Sequence, residues 1–196
     1  MTWKDISIEQ YIQLYNLTNG VELEDDNISQ YDLFFKQIGI VKRLSTNEVE
    51  NLPITALNQL KQDLQFLSKE PEQLELKTEI EIDGIKYKLK DNLANFTLGE
   101  WVDLESFNKD FINNMHRLLS VLYVREGQTS YNPIICDEVA DVFLKKMDIE
   151  TGLAAFFFIW LTGTHYIQSD IQDCSMFQVI QQTVNKLLKE KEQLAV

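Results

Sequence analysis

The sequence has few of the residues on which most enzyme chemistry depends. Its 196 residues include two histidines and two cysteines. His116 and His165 have no nucleophile or orienting carboxylate at a spacing typical of a catalytic set. Cys136 and Cys174 form no CxxC pair, and no glycine-rich phosphate-binding motif is present. We therefore predict no catalytic residue, no metal and no cofactor, and we interpret the chain as a non-enzyme.

Basic residues are also scarce. The chain has 31 acidic and 18 basic residues, which gives a formal net charge of −13. A general nucleic-acid binder needs a basic surface that neutralises phosphates, so specific nucleic-acid binding is not expected. An acidic wall remains compatible with DNA that passes along it without being held.

No apolar run is long enough to predict a membrane span. The strongest run, Gly152–Leu161, covers ten residues of a charge-free stretch from Thr151 to Ser169. A spanning helix needs about twenty predominantly apolar residues. We predict a buried core helix here and no membrane association. The first residues lack the basic-then-apolar pattern of a signal peptide, so no export signal is expected.

The most informative stretch that is present predicts a β-hairpin at about residues 78–90. Apolar residues alternate with charged ones on both sides of Asp83-Gly84, a dipeptide that favours a two-residue type I′ turn. That turn fixes the register: Ile82 faces Ile85, Glu81 faces Lys86, Ile80 faces Tyr87, and Glu79 faces Lys88. No other convincing strand pair is visible, so we expect both edges of the hairpin to be free for a partner strand.

The rest of the chain is predicted to be helical. Three capping boxes mark helix starts at Ser7–Gln10, Ser45–Glu48 and Thr97–Glu100. Apolar stripes predict further helices, one of which ends at a Gly39 cap and another of which runs from Leu57 to about Ser68. In the helix that Thr97 starts, we expect Trp101, Val102 and Phe107 to face inward. A C-terminal helix is predicted over Ile171–Leu188. The predicted fold class is mostly α (α+β). The predicted organisation is one domain over 1–196, with parts at 1–69, 77–107 and 108–196.

Three consecutive phenylalanines, Phe156 to Phe158, point around their helix in all directions. Such a helix must be covered on every side, either by a central position in the domain or by a neighbouring subunit. Both arrangements are open at this point. With the loop residue Tyr131, these side chains and those of the hairpin form the set of predicted protein–protein contacts: Ile80, Ile82, Tyr87, Lys86, Lys88, Phe156, Phe157, Phe158 and Tyr131.

The segment IDGIKYKLKDNLANFTLGEWVDLESF resembles small proteins encoded among the structural and tail genes of tailed bacteriophages, including crAss-like phages of gut Bacteroidales. The opening MTWKDISIEQYIQLYNL and the segment INNMHRLLSVLYVRE are similar in style to the same group. The resemblance implies a part of the virion, such as a ring or connector subunit of the neck and tail, or a tail assembly chaperone. It implies no catalytic residues.

The leading hypothesis is a structural subunit of a tail or neck ring. It would be made in the host bacterial cytoplasm, reside in the virion, and contact other phage structural proteins and copies of itself. The first alternative is a tail assembly chaperone that is absent from the mature virion. The second alternative is an enzyme with an unrecognised acidic site.

Overall fold

The computed structural model describes residues 1–19, 30–69, 71, 74–90 and 92–167. The fold is mostly helical with one small antiparallel sheet, as the sequence predicts. In chain order the elements are α1 (Ile8–Asn19), α2 (Gln30–Lys42), α3 (Thr46–Glu50), α4 (Leu57–Asp63), β1 (Glu79–Ile82), β2 (Ile85–Leu89), α5 (Leu98–Asn108), α6 (Phe111–Leu122), β3 (Tyr123–Arg125), α7 (Pro133–Lys146) and α8 (Ile149–Ile167). The predicted C-terminal helix over Ile171–Leu188 lies outside the described residues.

All three predicted capping boxes form. At the start of α1, the Ser7 N–H donates to Gln10 Oε1 (3.1 Å) and the Gln10 N–H donates to Ser7 Oγ (3.3 Å). The same reciprocal pairs join Ser45 to Glu48 and Thr97 to Glu100. Each box satisfies backbone donors that the first turn of a helix leaves unpaired, which is why the motif predicts helix starts well.

Helix α2 ends differently from the prediction. Gly39 lies inside the helix, and Arg43 takes the left-handed conformation with φ of 56°. The Leu44 N–H donates to the Gly39 carbonyl (2.9 Å) and the Arg43 N–H to the Ile40 carbonyl (3.3 Å), the paired bonds of a Schellman motif. A Cβ atom on Gly39 would lie 3.1 Å from the Leu44 oxygen. Gly39 therefore permits the close approach of the returning chain, while Arg43 provides the cap.

Helix α4 is shorter than predicted. It ends at Asp63, and a 3₁₀ turn over Gln65–Ser68 follows it. The predicted stripe of Leu57, Leu60, Leu64 and Leu67 is buried or half-buried, so it identified residues that pack inward. It missed Phe66, which is buried within the turn, and it did not distinguish an α-helix from a tighter turn with a similar period.

The hairpin has the predicted register. Glu79 pairs with Lys88, Ile80 with Tyr87, Glu81 with Lys86, and Ile82 with Ile85. Asp83 and Gly84 both have positive φ, 54° and 75°, as a type I′ turn requires.

The sheet has a third strand that the sequence analysis missed. β3 follows α6 directly and pairs antiparallel with β2, so the strand order is β1-β2-β3. Lys88 lies opposite Val124, and Leu89 lies opposite Tyr123. The prediction that both edges of the hairpin are free is therefore wrong for the β2 edge.

The inner face of the sheet packs on α7. Phe143 is fully buried, with its ring centroid 5.0 Å from that of Tyr87 and 6.2 Å from that of Tyr123. The Tyr123 hydroxyl donates to the Lys77 carbonyl (2.6 Å), which satisfies its polar atom inside the core. Burial raises the pKa of Tyr123 to about 12, so this hydroxyl keeps its proton at neutral pH.

The chain itself covers the first half of α8. Every described side chain from Ile149 to Phe158 is buried or half-buried, and Phe156 stacks on Phe111 with centroids 3.8 Å apart. The helix continues through Gly163, which does not end it, and reaches Ile167. Within the described part of the chain, no helix is long and apolar enough to cross a membrane.

Candidate protein-interaction site

The outer face of the sheet forms an open groove of about 460 Å³. Three lysines and two glutamates line it with their side chains: Lys86, Lys88, Lys90, Glu79 and Glu126. Glu81 lies directly opposite Lys86 on the same face, so charges of both signs are balanced there. Arg125 also lines the groove, but it lies opposite Tyr87, which directs its side chain to the inner face. We refer to this surface as the outer groove.

Strand alternation places these lysines on the outer face. Side chains of a strand point to opposite faces in turn, so burying Tyr87 and Leu89 directs Lys86 and Lys88 outward. Val124 of β3 lies opposite Lys88 and adds an apolar element to the same surface. The groove is therefore a direct consequence of the pattern that builds the core on the other side.

The basic side chains differ in their pairing. Lys90 Nζ lies 2.6 Å from Glu100 Oε1, and Lys88 Nζ lies 3.9 Å from Glu79 Oε1. Lys86 forms no ion pair among the residues that the structure describes, although Glu81 lies directly opposite it on the same face. Arg125 forms none either, and its position opposite Tyr87 directs its side chain to the other face of the sheet.

Lys90 connects the groove to the core. Its partner Glu100 is 2% exposed and also accepts the Thr97 N–H at 2.7 Å as part of the α5 capping box. A buried carboxylate is costly unless it is paired and hydrogen-bonded, and here Lys90 and Thr97 supply both kinds of contact. The pair fixes the end of β2 against the start of α5.

The two outer edges of the sheet are not equivalent. On the β3 side, the Tyr123 N–H donates to the Leu119 carbonyl, and the Gln128 N–H donates to the Arg125 carbonyl (3.0 Å). On the β1 side, the backbone groups of Thr78, Ile80 and Ile82 form hydrogen bonds with β2. The backbone groups of Glu79 and Glu81 therefore point away from β2, beyond the edge of the sheet. No described residue pairs with this edge. We refer to it as the open edge.

The predicted contact residues occupy different environments. Lys86 and Lys88 are exposed in the groove, whereas Tyr87 is 2% exposed and serves the core. Phe156 is buried, and the others are half-buried against the core: Ile80, Ile82, Phe157, Phe158 and Tyr131. The Tyr131 hydroxyl donates to Asp103, and its ring lies against Gly99, which joins the loop before α7 to α5.

The exposed apolar side chains lie elsewhere. Leu98 and Val102, one turn apart on α5, are 84% and 58% exposed, and Ile134 on α7 is 71% exposed. The prediction that Val102 faces inward is therefore wrong. Leu104 and Glu100 are the buried residues of α5, so its buried stripe is rotated relative to the one we predicted.

Titratable side chains show no arrangement for catalysis among the described residues, where no group of three metal-ligating side chains is found. Burial lowers the pKa of His116, and it raises the pKa of the Cys136 thiol to about 11, which keeps that thiol protonated. Hydrogen bonds from Ser45 and Lys42 lower the pKa values of Glu48 and Asp63, respectively. A carboxyl that serves as a general acid needs the opposite shift.

Two groove residues escaped the sequence analysis. Arg125 and Val124 belong to a three-residue strand with no turn signal before it, since α6 leads into it directly. The sequence YVR has two apolar residues followed by a charged one, and three residues do not separate a strand from a helix end by pattern alone.

Comparison with protein-family models, with curated proteins and with solved structures finds no match to this chain.

Proposed function

We propose that this chain is a structural subunit of a tailed-phage particle, within a ring or connector of the neck and tail, and that it acts by packing against neighbouring proteins. The resemblance of the hairpin-helix segment to phage structural proteins is the reason for proposing a phage particle. The observation that carries the proposal is the open edge, where Glu79 and Glu81 direct backbone donors and acceptors away from the described chain. Such an edge is a template for a partner strand.

The open edge favours a particular kind of neighbour. Glu79 and Glu81 point to the outer face, and like charges directly opposite each other destabilise a strand pair. Two copies of β1 paired antiparallel would place glutamates against glutamates. A strand with basic residues at alternate positions would instead form attractive pairs, so the partner at this edge is a different protein or a different segment.

The first test asks where the protein resides. Mass spectrometry of purified virions should detect the chain in amounts comparable with other ring proteins. Size-exclusion chromatography with light scattering should show that it assembles with itself or with co-expressed neck and tail proteins. A chain that stays monomeric in both settings and is absent from virions would refute the proposal.

A matched pair of variants tests the open edge. Glu81→Pro and Glu81→Gln both remove the charge, but only proline removes the outward N–H and blocks a partner strand. We expect Glu81→Pro to abolish incorporation into particles and Glu81→Gln to retain it. Equal incorporation of both variants would exclude strand addition at β1.

A tail assembly chaperone is the second candidate. The exposed Leu98 and Val102 on one face of α5 favour it, because such a surface suits a helix of a client protein. A chaperone would co-purify with tail protein before assembly and be missing from finished particles, so the virion measurement separates the two functions.

A further inference from the structure

We propose that the open edge binds a short extended strand of a different protein, in which apolar and basic residues alternate and a basic residue lies opposite Glu81. The inference rests on the proposed function and specifies the partner at that edge. Three features of β1 select such a strand: its outward peptide groups, its partly covered inner side and the charges of its outer side.

The hydrogen-bonding groups of the open edge determine the conformation of the partner. The N–H and C=O groups of Glu79 and Glu81 point away from β2, and no described residue bonds to them. Outward groups at every second residue match the period of an extended strand. A helix bonds its own N–H and C=O groups internally and cannot pair with them. The partner is therefore extended where it meets β1.

The inner face of the sheet is less well covered at β1 than at the other two strands. Tyr87 of β2 is 2% exposed and Tyr123 of β3 is 1% exposed, whereas Ile80 and Ile82 are half-buried. Both isoleucines have β2 on one side, and no described strand adjoins them on the other. Apolar side chains of an added strand would occupy that neighbouring position and remove more of both isoleucines from water. The inward residues of the partner are therefore apolar.

The charges of the outer face select a basic residue at one position. Glu126, Lys86 and Glu81 form one row across the three strands, because the Glu126 N–H donates to the Lys86 carbonyl (2.8 Å) and Lys86 lies opposite Glu81. The signs alternate along this row, which ends on an acid at the open edge and has one carboxylate in excess. A basic residue opposite Glu81 would continue the alternation and balance the row. The neighbouring row, through Lys88 and Glu79, already contains one charge of each sign.

The other cations near β1 do not supply this balance. Three lysines at the margins of the hairpin are each paired with a carboxylate of the chain: Lys90 with Glu100, Lys77 with Asp148, and Lys146 with Asp83. The excess carboxylate of the row that ends at Glu81 therefore depends on a cation from outside the described chain.

A second copy of this chain is the competing partner. Pairing two β1 strands would place another carboxylate beside Glu81, in the row that already has an excess. The basic strand β2 lies between β1 and β3, so its backbone is already paired on both sides. At β3, the Tyr123 N–H and the Arg125 carbonyl bond within the chain. A different protein is the better source of the added strand.

Hydrogen exchange with a synthetic probe is the first test. The probe is a peptide of about seven residues in which valine and lysine alternate, and its control contains the same residues in two blocks. In the full chain followed by NMR, the alternating peptide should slow exchange of the Glu79 and Glu81 amides by at least about tenfold. The Ile80 and Ile82 amides, which already bond to β2, should change little. The block peptide should bind at least about tenfold more weakly.

Methylated peptides test the strand pairing itself, because N-methylation removes a single backbone donor. The lysine N–H groups face the open edge in antiparallel addition, and the valine N–H groups face it in parallel addition. Methylation of the facing set should abolish binding, and methylation of the other set should leave it unchanged. The sensitive set then gives the orientation of the added strand.

A charge exchange tests the position of the basic residue. Glu81→Lys should weaken binding of the valine–lysine peptide about fivefold and strengthen binding of a valine–glutamate peptide by a similar factor. Glu105→Lys makes the same change of net charge at an exposed position on α5 and should keep the wild-type preference.

Several outcomes would overturn the inference. They are equal affinity for the alternating and block peptides, equal sensitivity to both methylated sets, and equal effects of Glu81→Lys and Glu105→Lys. An alternating peptide that does not bind at about 1 mM would overturn it as well. In each of these cases, mass spectrometry of purified virions still decides whether the chain is a structural subunit, so failure of the inference is distinguishable from failure of the proposed function.

Discussion

The two faces of the small sheet are formed by the same strands but have different surroundings. The inner face places Tyr87 and Leu89 on the helices below, with Phe143 at the centre. The outer face carries Lys86 and Lys88 around a groove that the described chain leaves open. The difference shows how a strict alternation can bury one side of a strand in the core and leave the other side exposed. Each side can then be changed with little effect on the other.

The largest effect is expected on the inner face. Phe143→Ala removes a fully buried ring between two tyrosines and should lower the free energy of unfolding by about 4 kcal/mol. Chemical denaturation followed by circular dichroism measures this change. On the outer face, Lys88→Ala removes an exposed side chain and should change it by less than about 0.5 kcal/mol. Similar losses for both variants would contradict the division between the faces.

Lys90 is the exception to this division, because it lines the groove while its ammonium reaches a buried carboxylate. Lys90→Met should lower the free energy of unfolding by about 3 kcal/mol, since Glu100 would remain buried without its cation. Adding Glu100→Gln in the same chain removes that charge and should recover part of the loss. If the double variant is no more stable than Lys90→Met, the pair does not act as described.

A smaller effect is expected at Tyr131. Tyr131→Phe removes one hydrogen bond to Asp103 and should lower the free energy of unfolding by about 1 kcal/mol. Because Tyr131 lies outside both the outer groove and the open edge, association with neighbouring proteins should not change. The same denaturation experiment, followed by sedimentation of the folded variant, checks both expectations. Weakened association would extend the interaction surface to this loop.

The smallest effect is a dependence of stability on pH. Burial, with the nearby Arg117, lowers the pKa of His116 below its usual 6.5, although Asp141 opposes this shift. The unfolded chain therefore binds a proton at this histidine as the pH falls through 6.5, while the folded chain binds it only at a lower pH. Stability should be complete above pH 6.5 and decline below it.

His116→Gln removes the titrating group and should flatten this decline between pH 6.5 and the range where carboxylates titrate. Thermal unfolding at a series of pH values measures the slope. An unchanged slope in the variant would assign the decline to other groups.

Local patterns predicted the parts of the fold that depend on neighbouring residues in the chain. The capping boxes and the Asp83-Gly84 turn are short motifs whose hydrogen bonds close within a few residues, and they form as expected. The hairpin register follows because the turn leaves only one alignment that places all apolar side chains on one face.

Features that depend on distant contacts were missed. β3 is defined by its pairing with β2, and its three residues form no sequence pattern that predicts this pairing. The same limit explains α5, where packing buries Leu104 and Glu100 and leaves Val102 exposed. The outer groove could be predicted in part, since Lys86 and Lys88 were expected to face outward, but Val124 enters it only through the third strand. The roles of these residues in contacts with neighbours stay predictions.

The direct junction between α6 and β3 has a mechanical consequence. The Tyr123 N–H, the first amide of β3, donates to the Leu119 carbonyl in the last turn of α6, so no loop residue separates the two elements. A displacement of β3 would therefore reach the last turn of α6 directly, where Leu119 and Leu122 are fully buried. The sheet and the helical core are mechanically coupled through this hydrogen bond.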